Sequence, residues 1–153
     1  MRTILLSAFA FLGMQNAAFA IDLTFGGTVA SICTLGLTNH GVLGLGLDGS
    51  HIASDVGSPA QMTIVSVGSH VVTVSAPTWT KAPSDYTPGG ESLEVAYSGL
   101  AGLGTVNQAF TSNTTNFNIN TLPLTSVRLH ARARNTNGFA AGDYEMKVMV
   151  TCS

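Results

Sequence analysis

An all-β antiparallel sandwich is the fold class this sequence predicts, and three observations predict it. Apolar residues recur with a spacing of two through most of residues 21–153, and no window of a dozen residues sustains a helical stripe. Val, Thr, Ile and Tyr dominate those periodic stretches, whereas Gly, Pro, Asn and Asp punctuate them. Many short strands separated by turn signals form either two stacked sheets or a barrel.

The first 20 residues are of a different kind. MRTILLSAFAFLGMQNAAFA carries one basic residue at Arg2, an apolar stretch from Ile4 to about Leu12, and the small-x-small pattern Ala18-Phe19-Ala20. These are the parts of a secretory signal peptide, cleaved before Ile21. Removing 20 of 153 residues leaves 133, one domain over residues 21–153 with enough chain for a real core. No later apolar run reaches the roughly 20 residues needed to span a bilayer, so no transmembrane segment is expected. The expected location is outside the cytoplasm: periplasmic, cell-surface or extracellular.

Strands are expected near residues 21–35, 41–46, 61–67, 70–76, 91–98, 105–111, 115–121, 126–134 and 143–152. Leu47, Asp48, Gly49 and Ser50 form a β-turn after the second of these. QMTIVSV, Gly68, Ser69 and HVVTVSAP read as a hairpin with Val65 opposite Val72. That register places Val65, Val67, Val72 and Val74 on the core side. Pro77, Pro83 and Pro88 make the following segment a loop, since proline cannot supply ladder donors, and Trp79 plugs an end of the core. TSNTTNFNIN is a half-buried strand facing inward through Phe117 and Ile119, and Asn113, Thr114 and Thr115 spell a glycosylation sequon.

In VRLHARAR, residues 127–134, Val127, Leu129, Ala131 and Ala133 alternate with Arg128, His130, Arg132 and Arg134, the pattern of a strand with one wet face. DYEMKVMVTCS alternates the same way, with Tyr144, Met146, Val148, Val150 and Cys152 on one face. An antiparallel pairing of the two around Asn137-Gly138 sets Ala131 against Met146. It also sets up two ion pairs, Arg132 with Glu145 and Arg134 with Asp143.

Charged residues are 9% of the chain, against roughly 25% in a typical soluble domain, so neighbouring molecules repel each other weakly and association is expected. Past residue 20, five basic residues stand against eight acidic ones, a net charge of −3. That balance excludes a nucleic-acid binder, which needs a basic excess. The partner expected instead is a second copy or another surface or periplasmic protein.

Cys33 and Cys152 are the only cysteines, and in an exported protein they are expected to bond. His40, His51, His70 and His130 stand alone in sequence, with no metal-ligand spacing. No GxSxG occurs, and the glycines of GVLGLGLDG open no helix. No catalytic residue, cofactor or metal site is expected, and the protein is read as non-enzymatic.

From Ile21 the chain reads IDLTFGGTVASICTL, and it closes AAGDYEMKVMVTCS. Gly27, Thr28, Val29 and Cys33 in the first segment, with Gly142 and Tyr144 in the second, resemble the ends of chaperone-usher pilins and spore-coat-U-type fimbrial subunits. The resemblance implies an immunoglobulin-like sandwich lacking one strand, which a neighbour's N-terminal extension supplies. Ile21, Leu23 and Phe25 are then the strand-donor residues. The implied function is a structural or adhesive surface subunit assembling by strand addition. The alternative is a stand-alone secreted binding module of immunoglobulin-like fold, closed by a Cys33–Cys152 bond between its first and last strands.

Overall fold

A computed structural model describes residues 24, 26–101, 104–120 and 125–153. The signal peptide expected over residues 1–20 and the expected donor residues Ile21, Leu23 and Phe25 lie outside the described residues. Every regular element described is a strand: β1 (Ile32–Asn39), β2 (Val42–Leu45), β3 (His51–Ser58), β4 (Ala60–Val67), β5 (Ser69–Val74), β6 (Thr78–Lys81), β7 (Ser92–Ala101), β8 (Gly104–Thr111), β9 (Thr115–Asn120), β10 (Thr125–Arg134), β11 (Glu145–Lys147) and β12 (Val150–Cys152).

Seven strands form one antiparallel sheet. β1 and β2 run out and β3 and β4 return beside them, so residues 32–67 make one long hairpin. The turn at its tip lies one residue earlier than expected, closing over Gly46–Gly49 and not Leu47–Ser50. Gly49 has φ +67, in the left-handed region that favours glycine, and its N–H donates to the Gly46 carbonyl at 3.0 Å. β10 lies against the returning leg, pairing with β4 through Thr125–Leu129 and with β3 through Arg132–Arg134. Its other edge carries β7, which carries β8.

The opposing layer is built on β5, flanked by β9 and β12, and is continued by the β6–β11 pair. Period-two alternation gives each layer an apolar inner face. Met62 and Ile64 from β4, Val95 and Tyr97 from β7 and Val127 from β10 meet Val72 and Val74 of β5 and Ile119 of β9. Burying an aliphatic side chain of this size contributes about 1.5–3 kcal/mol, which makes this cluster the main source of stability. Tyr97 also donates its hydroxyl to Thr115 Oγ1 at 3.0 Å, so its one buried polar atom is satisfied across the layers.

Two expected pairings are corrected. β4 and β5 do not form a hairpin: Gly68, at φ +96, turns the chain out of the first sheet and into the second. Ile64 therefore faces the core while Val65 and Val67 face outward, and only Val72 and Val74 of the expected valine face are buried.

The ion-paired hairpin of β10 with the last strands is likewise absent. Arg132 lies opposite Glu94 on β7, with Nε 2.6 Å from Oε2, rather than opposite Glu145. Asp143 pairs with Lys81 at 2.8 Å rather than with Arg134, which sits in register with Ser92 and His51. The cause is Asn135, buried just past β10. Its Oδ1 accepts from the N–H groups of Gly89 and Asn137 at 2.7 and 3.2 Å, and its Nδ2 donates to the Thr87 and Gly138 carbonyls at 3.0 and 2.7 Å. Those four bonds tie the turn to the 87–89 loop, and the chain crosses to the other layer instead of doubling back.

Trp79 sits where the sandwich ends, though on a short strand and not in a loop. Its ring lies 6.2 Å from Tyr86 and 5.6 Å from Tyr144, and Phe139 stacks on Tyr86 at 5.7 Å. Its Nε1 donates to Glu91 Oε2 at 3.0 Å, and the Tyr86 hydroxyl donates to the same oxygen. β3 was not expected, because HIASDVGS breaks its alternation with polar and glycine residues.

Candidate functional site

Each layer has an edge that pairs on one side only among the described residues. In the seven-stranded sheet it is formed by β1 and β2, and in the opposing layer by β11 of the two-stranded β6–β11 sheet and β12 of the three-stranded sheet. The two edges flank a trough of about 900 Å³ that opens into the sandwich interior. Leu37 and Val42 form one wall, Met146, Val148 and Val150 the other, and Met62 and Leu129 the floor.

The walls come straight from the alternation of the sequence. Cys33, Leu35 and Leu37 share the inward row of β1, and Met146, Val148 and Val150 are the inward row of the last strands. Yet Leu37 is 59% exposed, and among the described residues no strand covers it. An inward-pointing leucine left in solvent forfeits burial free energy that a segment laid into the trough would recover. The unpaired backbone of both edges offers hydrogen bonds to the same segment.

The ends of the trough differ. Just past one end the Cys33–Cys152 disulfide joins edge strands β1 and β12, with Cα atoms 6.2 Å apart and a sequence separation of 119. The other end carries Thr80 and Tyr144 beside the aromatic cluster. Tyr144 donates to the Ala140 carbonyl at 3.1 Å, and burial pushes its phenol pKa up. Close by, the hydrogen bond from Lys81 holds the Asp143 carboxyl below its ordinary range. The chemistry on offer is the capture of an extended apolar segment, since aliphatic walls and backbone donors and acceptors surround the space.

No protein-family model matches the chain, and no curated protein does.

Of the residues singled out in sequence, Cys33 and Cys152 are brought together, Arg132 pairs with Glu94 and Asp143 with Lys81, and Arg134 and Glu145 sit in register with Ser92 and Lys81. Two features were missed. Leu37 as a trough wall follows from extending the inward row of Cys33 and Leu35 by two residues. His70, whose ring comes within 4.8 Å of both cysteine sulfurs, left no signal in the spacing because it reaches them across two sheets. Among the described residues no helix is long and apolar enough to cross a membrane.

Proposed function

We propose that this chain is an exported, non-enzymatic surface subunit, pilin-like, which joins its neighbours by β-strand addition. The segment carrying Ile21, Leu23 and Phe25 of one copy lies in the trough of the next, its three apolar residues meeting the trough walls and floor and its backbone pairing with the open edges. One observation carries the reading: an apolar trough between two strand edges that are open among the described residues, with Leu37 exposed on an inward row. The low charge density favours close approach of copies. Export is supported by the Arg2-led apolar segment ending in Ala18-Phe19-Ala20 and by the disulfide.

A stand-alone secreted binding module is the second reading. The Cys33–Cys152 bond favours it, because a clasp between the first and last strands holds a self-sufficient sandwich together. Electrophoresis of unheated, chemically pure protein separates the two. Strand exchange gives an SDS-resistant ladder that collapses on boiling and is abolished by deleting residues 21–25. A monomer that is unchanged by the deletion overturns assembly and leaves the binding module.

A further inference from the structure

The disulfide has a neighbour that the assembly reading does not use. One ring nitrogen of His70 and the sulfurs of Cys33 and Cys152 all lie within 4.8 Å of one another, and all three side chains are half-buried. They come from three strands in two sheets. Cys33 is on β1 opposite Ser66, Cys152 is on β12 opposite Val72, and His70 is on β5, two residues before Val72 and on its inward face. A cluster assembled from three paired strands is held by the fold itself.

The orientation of His70 is also fixed. Its Nε2 lies 3.1 Å from the Val67 carbonyl and 3.1 Å from Ser31 Oγ. A proton on Nε2, donated to that carbonyl, leaves the lone pair on Nδ1, which is the tautomer a metal-binding imidazole takes when its other nitrogen is tied to a backbone oxygen.

We infer that the reduced protein binds one thiophilic divalent cation, Zn²⁺ by class, through the Cys33 and Cys152 thiolates and the His70 imidazole. Two thiolates and an imidazole are a zinc donor set, with a water or other small ligand completing four-coordination. Bond lengths of about 2.3 Å to sulfur and about 2.0 Å to nitrogen require ligand atoms roughly 3.3–3.8 Å apart in a tetrahedron. The sulfurs, about 2.0 Å apart when bonded, have to part by under about 2 Å, a movement within reach of side-chain rotation.

Metal and disulfide then exclude each other. Binding releases two thiol protons. On oxidation by an external disulfide, one thiolate attacks to give a mixed disulfide and the second displaces the remaining group. Cys33 and Cys152 thereby lose two electrons in forming their bond, the oxidant leaves as two thiolates, and the cation is released. Before oxidation the cation would clasp the same two strands that the disulfide clasps afterwards. This inference is independent of the assembly reading.

The test uses the chain over residues 21–153, reduced, freed of reductant and titrated with Co²⁺ as a spectroscopic stand-in for zinc. The expected result is one equivalent bound, with thiolate-to-cobalt charge-transfer absorption and tetrahedral ligand-field bands that Zn²⁺ abolishes by displacement. His70→Ala should weaken binding roughly tenfold or more, His51→Ala should leave it unchanged, and the oxidised protein should not bind. Where reduction costs the chain its β-sheet circular dichroism, Zn²⁺ should restore the spectrum in the parent and not in His70→Ala. Absence of a one-to-one complex, equal affinity in His70→Ala, or failure of Zn²⁺ to restore a lost spectrum would overturn the inference.

Discussion

Arg132 shows what a single residue reveals in sequence and what it conceals. Its position in an alternating strand places the guanidinium on the wet face, and the structure puts it there, bonded to Glu94 and 3.9 Å above the Phe110 ring. Which carboxylate it meets was not legible. Alternation assigns a side chain to a face, whereas the identity of the neighbouring strand is a non-local property that Glu145 and Glu94 satisfy equally well on paper. A double-mutant cycle decides between them. Arg132→Ala with Glu94→Gln should give a coupling of about 0.5–1 kcal/mol, typical of a half-exposed pair, and Arg132→Ala with Glu145→Gln a coupling near zero. Tyr86 carries a second consequence at this scale. Burial, and then its hydrogen bond to Glu91, raise the phenol pKa above the unfolded value of about 10. The neutral phenol is the favoured form, so this contribution to stability is whole below about pH 10 and is lost as pH rises through the folded value. Urea midpoints measured from about pH 9 to about pH 12 should fall, and Tyr86→Phe should flatten that fall.

Strands were the most legible level, because burial with a period of two is a local property of the chain. Seven of the nine expected strands lie within a few residues of β2, β4, β5, β7, β8, β9 and β10; the one expected over 143–152 is split into β11 and β12, and the one expected over 21–35 is displaced, since β1 begins only at Ile32 and the described residues before it are not strand. Of the two not foreseen, β3 lacks clean alternation and β6 lies between Pro77 and Pro83. Their partners were read less well. Gly68 permits a tight hairpin turn as readily as a passage between sheets, and only the packing of β5 against β9 and β12 selects the passage. The two arrangements predict opposite roles for adjacent residues. Ile64→Ala should cost about 2–5 kcal/mol by opening a cavity, and Val65→Thr should stay within about 0.5 kcal/mol. Chemical denaturation of both variants measures the difference, and the reverse ranking would restore the hairpin.

For the whole molecule, the long-range constraint is the covalent one. Closing 119 residues of sequence separation stabilises a fold by on the order of 4–5 kcal/mol in the chain-entropy model, with strain reducing that figure. In the presence of a chelator, Cys33→Ser with Cys152→Ser should therefore lower the urea midpoint well beyond what either outward valine of β4 does. The same bond also bears on the trough. By joining β1 to β12 just past the Val150 end, it keeps the two edges from parting there, while the long side of the trough stays open to solvent at Leu37. From Glu145 to Val150 the rim runs five residue steps, about 17 Å at strand spacing, which is the length an extended segment laid along it would span before reaching the covalent clasp.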